Sequence, residues 1–335
     1  MESLAFEVLN GPENNNTGFN LTEVLTEGDM VFAVMVGLSC VIMLVGIPGN
    51  LLVIASVIMK KELRSAPNFL VLSLSVCYFL FLSIPVPVHI YTYFTGHPPA
   101  SDACWAIGFI TNWLLGSSVL STGAIAINRY IAVVLKSKYH QISGNGAVAI
   151  TYTCDFLLPF RLISPSFFDK TIGNFGFESL DRSCGFMGNG ILRIVLIAVV
   201  STFPVIFMTL CYIRIFLYVT ASRRRVDALG RATALGTARS TETRLTIMLA
   251  MVYIVYLVTT LPALFVNAIA QTGVFVPEWL NKTCFTFVWM SSAANPVVHG
   301  LVNRKYRDAY KSVVTKICNF TIRRRETESL DTNTR

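Results

Sequence analysis

The stretch VFAVMVGLSCVIMLVGIPGNLLVIASVIM, from Val31 to Met59, contains no Asp, Glu, Lys or Arg. An α-helix rises about 1.5 Å per residue, so roughly 20 apolar residues cross the ~30 Å hydrocarbon core of a membrane. This stretch therefore predicts a membrane-crossing helix. Six further apolar stretches follow it, at Asn68 to Tyr91, Trp105 to Leu135, Ala147 to Ser164, Gly190 to Thr220, Arg244 to Ala270 and Cys284 to Val302.

The composition is also that of a membrane protein. Of the 335 residues, 53% are hydrophobic and only 14% are charged, and the mean hydropathy is +0.59. We expect an all-α membrane protein with a seven-transmembrane helix bundle in residues 31–302. The fourth stretch is the weakest of the seven, because Asp155 and Pro159 interrupt a short apolar run.

The distribution of basic residues predicts the orientation. Most of the 27 Lys and Arg residues fall in segments that seven crossings place on one side, and such segments stay cytoplasmic. Residues 1–30 contain no Lys or Arg, so we expect an extracellular N-terminal tail on a multi-pass plasma-membrane protein. The net charge of +8 reflects this topology, and nucleic acid is not an expected partner. The longest inner loop, Ala221 to Thr243, is basic and suits either anionic membrane lipids or a docked protein.

A short amphipathic helix is predicted after the seventh stretch, in Asn303 to Lys316. Helical spacing there brings four apolar side chains to one face, opposite basic residues: Tyr306, Tyr310, Val313 and Val314. Such a helix lies on the inner leaflet of the membrane. The remaining cytoplasmic tail, from about Arg323, is polar and we expect it to be disordered.

Three Asn-x-Ser/Thr triplets lie on the expected outer side and are candidate glycosylation sites: Asn15, Asn20 and Asn281. Cys318 follows the seventh stretch beside basic residues, where palmitoylation competes with a free thiol as the interpretation. Cys104 and Cys184 both lie at the outer face, where an oxidising compartment favours a disulfide between them. Cys284 is the competing partner for that bond.

Polar and proline positions inside these stretches follow a known order. Gly49-Asn50 lies in the first, and Cys104 stands 25 residues before the Arg129 of Asn128-Arg129-Tyr130. Pro204 and Tyr212 lie in the fifth, Pro262 in the sixth, and Asn295-Pro296-Val297-Val298-His299 in the seventh. Together they resemble the rhodopsin-like (class A) G-protein-coupled receptors. Within that family, the Asn-Arg-Tyr variant and the loop from Gly173 to Cys184 are most similar to the orphan receptors moody and trapped in endoderm, with melatonin receptors nearby.

The resemblance implies a heterotrimeric G protein inside and an extracellular ligand outside. It also implies a G-protein switch formed by Asn128, Arg129, Tyr130, Tyr212, Asn295, Pro296 and His299. Glu242, 20 residues before Pro262, falls where the family offers an acid to the motif arginine. An Arg129–Glu242 pair would hold two inner helix ends together. The alternative is that Glu242 is simply a charged residue at the edge of the loop.

Several positions depart from the family pattern. Tyr78 stands where the family places an aspartate on the second helix, so the usual sodium-linked control is not expected, and no metal or cofactor is expected elsewhere. Thr260 replaces the tryptophan of the sixth helix, and His299 replaces the tyrosine of Asn-Pro-x-x-Tyr. Polar side chains inside a bundle must satisfy one another. A shared network is therefore expected among Asn50, Ser73, Ser291, Ser292 and Asn295.

The ligand side is predicted less sharply. Thr111 stands where amine receptors carry an aspartate, so a biogenic amine is not expected. The outer halves of the helices supply a polar and aromatic lining: His89, Tyr91, Tyr93, Thr111, Asn112, Trp113, Arg193, Asn267, Gln271 and Trp289. This lining suits a lipid-like or otherwise largely apolar ligand, neutral or weakly acidic, with Arg193 as its anion partner. Any one of these aromatics can instead be an ordinary interfacial belt residue.

Other classes of function find less support in the sequence. The four histidines, at positions 89, 97, 140 and 299, are scattered, and no metalloprotease, nucleophile-elbow or phosphate-loop motif is present. An enzyme is therefore not predicted. A channel or transporter would need charged residues along its helices, and only Asp155 is acidic at membrane depth. The remaining alternative is a divergent seven-helix protein that no longer signals and acts as a ligand sink or adhesion partner.

Overall fold

The computed structural model describes residues 27–95, 97–139, 145–167, 174–178, 183–187, 202–228, 236–271 and 274–333. Within these ranges the long helices are α1 (Glu27–Met59), α2 (Ala66–Ser83), α3 (Pro85–Thr95), α4 (Ser101–Val133), α5 (Asn145–Ile163), α6 (Phe203–Ala228), α7 (Gly236–Gln271), α8 (Glu278–Val302) and α9 (Arg304–Asn333). One hairpin, β1 (Asn174–Glu178) and β2 (Ser183–Met187), joins them. The predicted all-α bundle is confirmed, with α2 and α3 together forming the second crossing.

Five of the described helical segments are long and apolar enough to cross a membrane by themselves: Ala33–Met59, Ala66–Thr95, Ser101–Val133, Phe203–Ser222 and Arg244–Ala270. α5 and α8 complete the bundle. α5 packs against α4, and α8 lies between α1 and α7. α8 carries polar side chains on its buried face, which lowers its hydropathy and brings polar groups into the bundle.

Several boundaries differ from expectation by a few residues, and three regions need comment. The second crossing breaks between Ser83 and Pro85, because proline lacks the amide hydrogen that a continuous helix needs. α7 begins at Gly236, two turns before the predicted start at Arg244, and so projects beyond the apolar stretch. The first part of the predicted fifth stretch, up to residue 201, lies outside the described residues, and α6 is described from Phe203.

The surface of the bundle is apolar where a membrane would surround it. Leu44 on α1 is 75% exposed, and Phe216 on α6 and Phe265 on α7 are each 69% exposed. A continuous surface of large apolar side chains like these is unfavourable in water but favourable in contact with lipid tails. The helices therefore bury one face against each other and present another to the hydrocarbon.

The hairpin covers the outer end of α4. Phe175 and Phe186 face each other across the two strands, and Phe175 packs edge-on against Trp105 and Phe109 of α4. The approach is close, because a Cβ at Gly108 would lie 3.1 Å from the Phe175 ring and 3.2 Å from the Gly185 carbonyl oxygen. Only glycine leaves room for this contact. Strands were not predicted in this loop.

α9 is longer than predicted. The helix continues from Arg304 to Asn333, although we expected it to end near Lys316 and the tail to be disordered from Arg323. This part of the chain contains no Gly or Pro and is rich in the helix formers Arg and Glu. Tyr306, Ala309 and Val313 are buried against the bundle. Val314, predicted for the same face, is 46% exposed, because the packed stripe is narrower than the apolar one.

Candidate functional site

Arg129 is buried near the inner end of α4, with 4% of its surface exposed. Its Nη2 donates a hydrogen bond of 2.6 Å to Oδ1 of the adjacent Asn128. A guanidinium at this depth is costly unless it has acceptors nearby. The amide at position 128 thus provides a neutral acceptor where the family usually provides a carboxylate, and Arg129 also interacts electrostatically with Tyr212.

Tyrosines join α6 to α7 beside this arginine. Tyr212 on α6 donates a hydrogen bond of 3.2 Å to the Leu249 carbonyl oxygen on α7. Its ring stacks on that of Tyr253, with centroids 4.8 Å apart. Tyr253 in turn donates to the Val205 carbonyl oxygen on α6 at 3.1 Å. Tyr130 packs against the same cluster. Reciprocal bonds of this kind hold the inner halves of the two helices together.

Glu242 lies on α7, but its side chain is outside the part of the structure that is described. The predicted Arg129–Glu242 pair therefore stays a prediction. The backbone position is consistent with it, since Glu242 lies in the inward extension of α7 that precedes Arg244.

The middle of the bundle holds a neutral polar cluster around Tyr78. The tyrosine is 4% exposed, and its hydroxyl interacts with the side chains of Ser291, Ser118 and Asn295. These residues belong to α2, α8 and α4, so three crossings meet at a phenol. A phenol is a hydrogen-bonding group without the charge that a carboxylate would offer to a cation.

Two further sets of hydrogen-bonded residues lie beside this cluster, one around Asn50 and one around Ser73. Asn50 Nδ2 donates to the carbonyl oxygens of Gly46, at 2.8 Å, and Ser292, at 3.0 Å, and so joins α1 to α8. This approach is tight, because a Cβ at the neighbouring Gly49 would lie 2.9 Å from Pro296 Cβ. The pair Gly49-Asn50 thus combines a close backbone approach with a bond across it.

Ser73 belongs to a different chain of bonds. Its hydroxyl lies 3.3 Å from that of Ser121, which donates to Asp155 Oδ2 at 3.1 Å. Asp155 is 5% exposed, so the acid that weakened the predicted fourth helix is turned into the bundle. The single network predicted for the five polar residues is therefore divided. Ser73 is linked to α4 and α5, whereas Asn50 bonds to α8, the helix that carries Ser291, Ser292 and Asn295.

Several buried polar atoms in the middle have no hydrogen-bond partner in the described part of the chain. They are Asn50 Oδ1, the Tyr256 hydroxyl and Thr260 Oγ1; nearer the inner end, both ring nitrogens of His299 are buried in the same way. Tyr256 and Thr260 lie near each other on α7, yet neither oxygen has a hydrogen-bond partner among the residues that the structure describes. Such atoms carry an uncompensated desolvation cost. They mark the region where a rearrangement can gain bonds.

α9 is fastened to the bundle at the inner end. The Tyr306 hydroxyl donates to Asn68 Oδ1 at 3.1 Å, and its ring stacks on His299 at 5.1 Å. The Tyr310 hydroxyl donates to the Pro296 carbonyl oxygen at 3.2 Å. Burial raises the pKa of both tyrosines well above the ordinary phenol value, so both remain donors at neutral pH.

A second candidate site lies in the outer half. Trp289 on α8 stacks against His89, with centroids 5.5 Å apart, and against Tyr93 at 6.0 Å. His89 Nε2 lies 3.3 Å from Thr111 Oγ1 on α4. The structure thus brings three of the predicted ligand residues together, His89, Thr111 and Trp289. Lys282, one turn into α8, is 1% exposed, and its Nζ lies 5.2 Å from the Tyr93 ring centroid.

The remaining predicted ligand residues are placed differently. The side chains of Asn112 and Asn267 are half-buried and donate to carbonyl oxygens of their own helices, those of Gly108 and Ala263. Arg193 lies outside the described residues.

Two aromatic assignments were wrong. Tyr91 is 51% exposed on the outer surface of α3, because the helix turns it away from His89 and Tyr93. Trp113 packs against α5, where its Nε1 donates to the Phe156 carbonyl oxygen at 2.9 Å.

Comparison with known proteins decides the family. The family described as "7 transmembrane receptor (rhodopsin family)" matches residues 49–299, about three quarters of the chain. The chain belongs to the rhodopsin family of seven-transmembrane receptors. It is therefore a class A G-protein-coupled receptor and a multi-pass protein of the plasma membrane.

Relatives and a solved structure agree with this assignment. The receptor is 28% identical to "Melatonin receptor type 1B" of Mus musculus over 280 residues, which cover 81% of this chain and 75% of that one. It is 28% identical to "Melatonin receptor type 1C" of Gallus gallus over 283 residues, 82% of this chain and 80% of that one. Squid rhodopsin shares the fold, with a TM-score of 0.74 and 19% identity over 86% of this chain and 87% of that one.

The outer disulfide of the receptor joins Cys104 of α4 to Cys184 of β2. The competing partner, Cys284, is buried and free. Cys318 is exposed on α9, where palmitoylation stays a prediction. Asn281 lies half-buried in the first turns of α8, and its glycosylation is likewise untested. Asn15 and Asn20 lie outside the described residues.

The sequence reading of the receptor missed Lys282, Ser118 and Tyr256. Lys282 is the middle residue of the glycosylation triplet that begins at Asn281. Its signal was the spacing to Trp289, because residues seven apart share one face of a helix. Four residues of α8 at this spacing are all buried: Lys282, Thr286, Trp289 and Ala293.

Proposed function

We propose that this receptor transmits an extracellular ligand signal to heterotrimeric G proteins through the Arg129 switch, with its N-terminus outside the cell. The observation that carries the proposal is the burial of Arg129 beside Asn128 and Tyr212 at the inner end. Burying a guanidinium lowers the stability of the bundle, and a helix end with a purely structural role does not need a buried charge. The burial of Arg129 therefore supports a role for this residue in signalling.

The proposed switch has two arrangements. In the present one, Arg129 bonds to Asn128, and Tyr212 bonds to the backbone of α7 at Leu249. Movement of the inner end of α7 away from α4 breaks the second bond and frees the tyrosine hydroxyl to approach the guanidinium. Glu242 opposes this movement by attracting Arg129. The groove that opens is the surface for the G protein.

The ligand in this proposal is largely apolar and neutral or weakly acidic. Thr111 contacts His89 rather than presenting a carboxylate, so the site lacks the anion that an amine ligand would need. The cluster of Trp289, Tyr93 and Phe81 supplies ring faces and apolar area. Because the relatives are named melatonin receptors, melatonin belongs in the test panel beside the lipids.

The test measures G-protein activation in cells that express the native receptor, Arg129→Ala or Glu242→Ala, first without ligand and then with the panel. Arg304→Ala, an exposed cytoplasmic arginine on α9, is the matched control. We expect native activity above that of Arg129→Ala by about fivefold or more, a raised basal signal in Glu242→Ala, and a native-like Arg304→Ala. Equal signals from native and Arg129→Ala receptor would contradict the proposal.

The alternative is a receptor-fold protein that no longer signals and acts as a ligand sink or adhesion partner. Tyr78, Thr260 and Asn128 favour it, since each replaces a residue typical of signalling members. The same experiment separates the two. If all variants reach the surface and remain silent with every compound, the sink is supported, and ligand binding without activation would establish it.

A further inference from the structure

Two buried phenols lie in the middle of the bundle on different helices. Tyr78 of α2 and Tyr256 of α7 are each 4% exposed, and they lie close enough to interact electrostatically. The Tyr78 hydroxyl interacts with three side chains of α4 and α8: Ser118, Ser291 and Asn295. The Tyr256 hydroxyl has no hydrogen-bond partner in the described part of the chain. The two phenols are therefore near neighbours, and only one of them lies among polar partners.

The packing around the two rings brings α7 against α2 and α4. Tyr78 shares a hydrophobic cluster with Val252, which lies one turn before Tyr256 on α7. Tyr256 packs in a neighbouring cluster with Val119 of α4, and Val119 directly follows Ser118, a partner of Tyr78. Residues four apart on a helix lie on the same face, so Val252 and Tyr256 both face the Tyr78 side of the bundle. A movement of α7 therefore changes the distance between the two hydroxyls.

The chemistry of the two hydroxyls is complementary. A buried phenol without a partner raises the free energy of the folded state, because its bonds to water have been lost and not replaced. Tyr256 has one hydrogen to donate, and the Tyr78 oxygen has lone pairs that can accept it. Thr260 Oγ1 is also without a partner among the described residues. Thr260 lies on the same helix as Tyr256, however, so a movement of α7 carries both residues together and does not bring them closer.

We propose that Tyr256 is a positioning residue of the receptor switch, and that in the arrangement bound to a G protein its hydroxyl donates a hydrogen bond to the Tyr78 oxygen. The inference rests on the proposed receptor function and adds to it a contact between α7 and α2. Movement of the inner end of α7 breaks the bond that Tyr212 makes to α7 and forms this one in the middle. The bond gained offsets the bond lost, so the two arrangements stay close in free energy.

The experiment is a double-mutant cycle on the full-length receptor in phosphatidylcholine nanodiscs. The readout is the basal rate of nucleotide exchange by added heterotrimeric G proteins of each class, without ligand. The variants are Tyr256→Phe, Tyr78→Phe and the double variant, which keep the rings and lose only the phenolic oxygens. A second cycle pairs Tyr256→Phe with Thr260→Val, which keeps the side-chain shape and removes the other hydroxyl. Tyr91→Phe, on the exposed outer surface of α3, is the matched control.

We expect Tyr256→Phe to lower the exchange rate by about twofold to tenfold, because one hydrogen bond lost from the G-protein-bound arrangement shifts the equilibrium by that factor. In the Tyr78→Phe background the same change should have little further effect. Beside Thr260→Val it should keep its full effect, and Tyr91→Phe should be native-like. The melting temperature of the ligand-free Tyr256→Phe receptor should not fall, since the present arrangement lacks the bond.

A purely structural role for Tyr256 predicts a different pattern, in which exchange does not depend on whether the Tyr78 hydroxyl is present. The inference is overturned if Tyr256→Phe exchanges nucleotide at or above the native rate. It is also overturned if the effect of Tyr256→Phe is the same with and without the Tyr78 hydroxyl, or if the effect disappears beside Thr260→Val instead.

Failure of this inference is distinguishable from failure of the proposed function, because Arg129→Ala is measured in the same nanodiscs. A normal dependence of exchange on Arg129, without coupling between Tyr78 and Tyr256, removes only the inference. A native receptor that unfolds cooperatively but drives no exchange with any G protein overturns the proposed function and this inference together.

Discussion

The inner end and the middle of the bundle differ in how their buried polar groups are hydrogen-bonded. At the inner end, Tyr212 and Tyr310 both donate to backbone carbonyl oxygens of another helix, and Tyr306 donates to Asn68. In the middle, the Tyr256 hydroxyl and Thr260 Oγ1 are buried without partners among the described residues. These inner-end tyrosines are hydrogen-bonded to another helix, whereas the two hydroxyls of the middle have no partner among the described residues.

This difference indicates where a conformational change would gain and lose free energy. Moving α7 outward breaks bonds at the inner end, each worth about 0.5–1.5 kcal/mol. The same movement allows orphaned groups in the middle to find partners or water, which recovers a similar amount per group. Two arrangements close in free energy are the requirement for a switch that a ligand can bias.

The largest expected effect is at Tyr306, which is fully buried at the inner end. Tyr306→Ala removes a stacked ring and the bond to Asn68, and it should destabilise the receptor by about 3–5 kcal/mol. Tyr306→Phe is the control, because it keeps the ring and should cost about 1 kcal/mol. Thermal unfolding in nanodiscs measures both. Equal losses in the two variants would show that packing of the ring contributes little.

A smaller loss is expected at Tyr212. Tyr212→Phe keeps the stack on Tyr253 but removes the bond to Leu249, and it should destabilise the present arrangement by about 1 kcal/mol. The melting temperature of the ligand-free receptor should fall. An unchanged or higher value would mean that this bond does not hold α6 to α7.

The opposite sign is expected in the middle. Tyr256→Phe removes a buried hydroxyl that has no partner in the described part of the chain, so it should stabilise the receptor by up to about 1 kcal/mol. The paired comparison with Tyr212→Phe is informative because both lose one phenolic oxygen from the same pair of helices. If both variants lose stability equally, the contrast between the two regions is wrong.

The smallest expected effect is that of sodium on the native receptor. Tyr78 interacts with Ser118, Ser291 and Asn295 but offers no charge to a cation. Basal nucleotide exchange should therefore be the same in NaCl and KCl at equal ionic strength. Tyr78→Asp should introduce a sodium dependence, because a carboxylate among these oxygens is a hard-cation ligand. A clear sodium effect on the native receptor would place a cation site elsewhere.

The fold was largely predictable from the sequence, because length and apolarity identify most of the segments that cross a membrane. Asp155 did not prevent the fourth helix, since the bundle supplies Ser121 as its partner. The length of α9 was missed for another reason. Composition indicated disorder from Arg323, while the absence of Gly and Pro lets a helix that is anchored at Tyr306 continue.

The site was less predictable, since helical spacing gives the faces of a helix but not their neighbours. His89, Thr111 and Trp289 were correctly grouped, yet Tyr91 and Trp113 were grouped with them although they face away. The partners of Ser73 depend on how α2, α4 and α5 pack against one another, and the sequence of one helix does not show that packing. The orphaned atoms of the middle could be found only in three dimensions.

The most direct test of the switch is the distance between the inner ends of α4 and α7. Spin labels at the exposed positions Lys136 and Arg244, in a receptor whose free cysteines are replaced, report it by pulsed electron resonance in nanodiscs. Addition of a nucleotide-free G protein should lengthen this distance in the native receptor and leave it unchanged in Arg129→Ala. An unchanged native distance, or an equal lengthening in Arg129→Ala, would contradict the account.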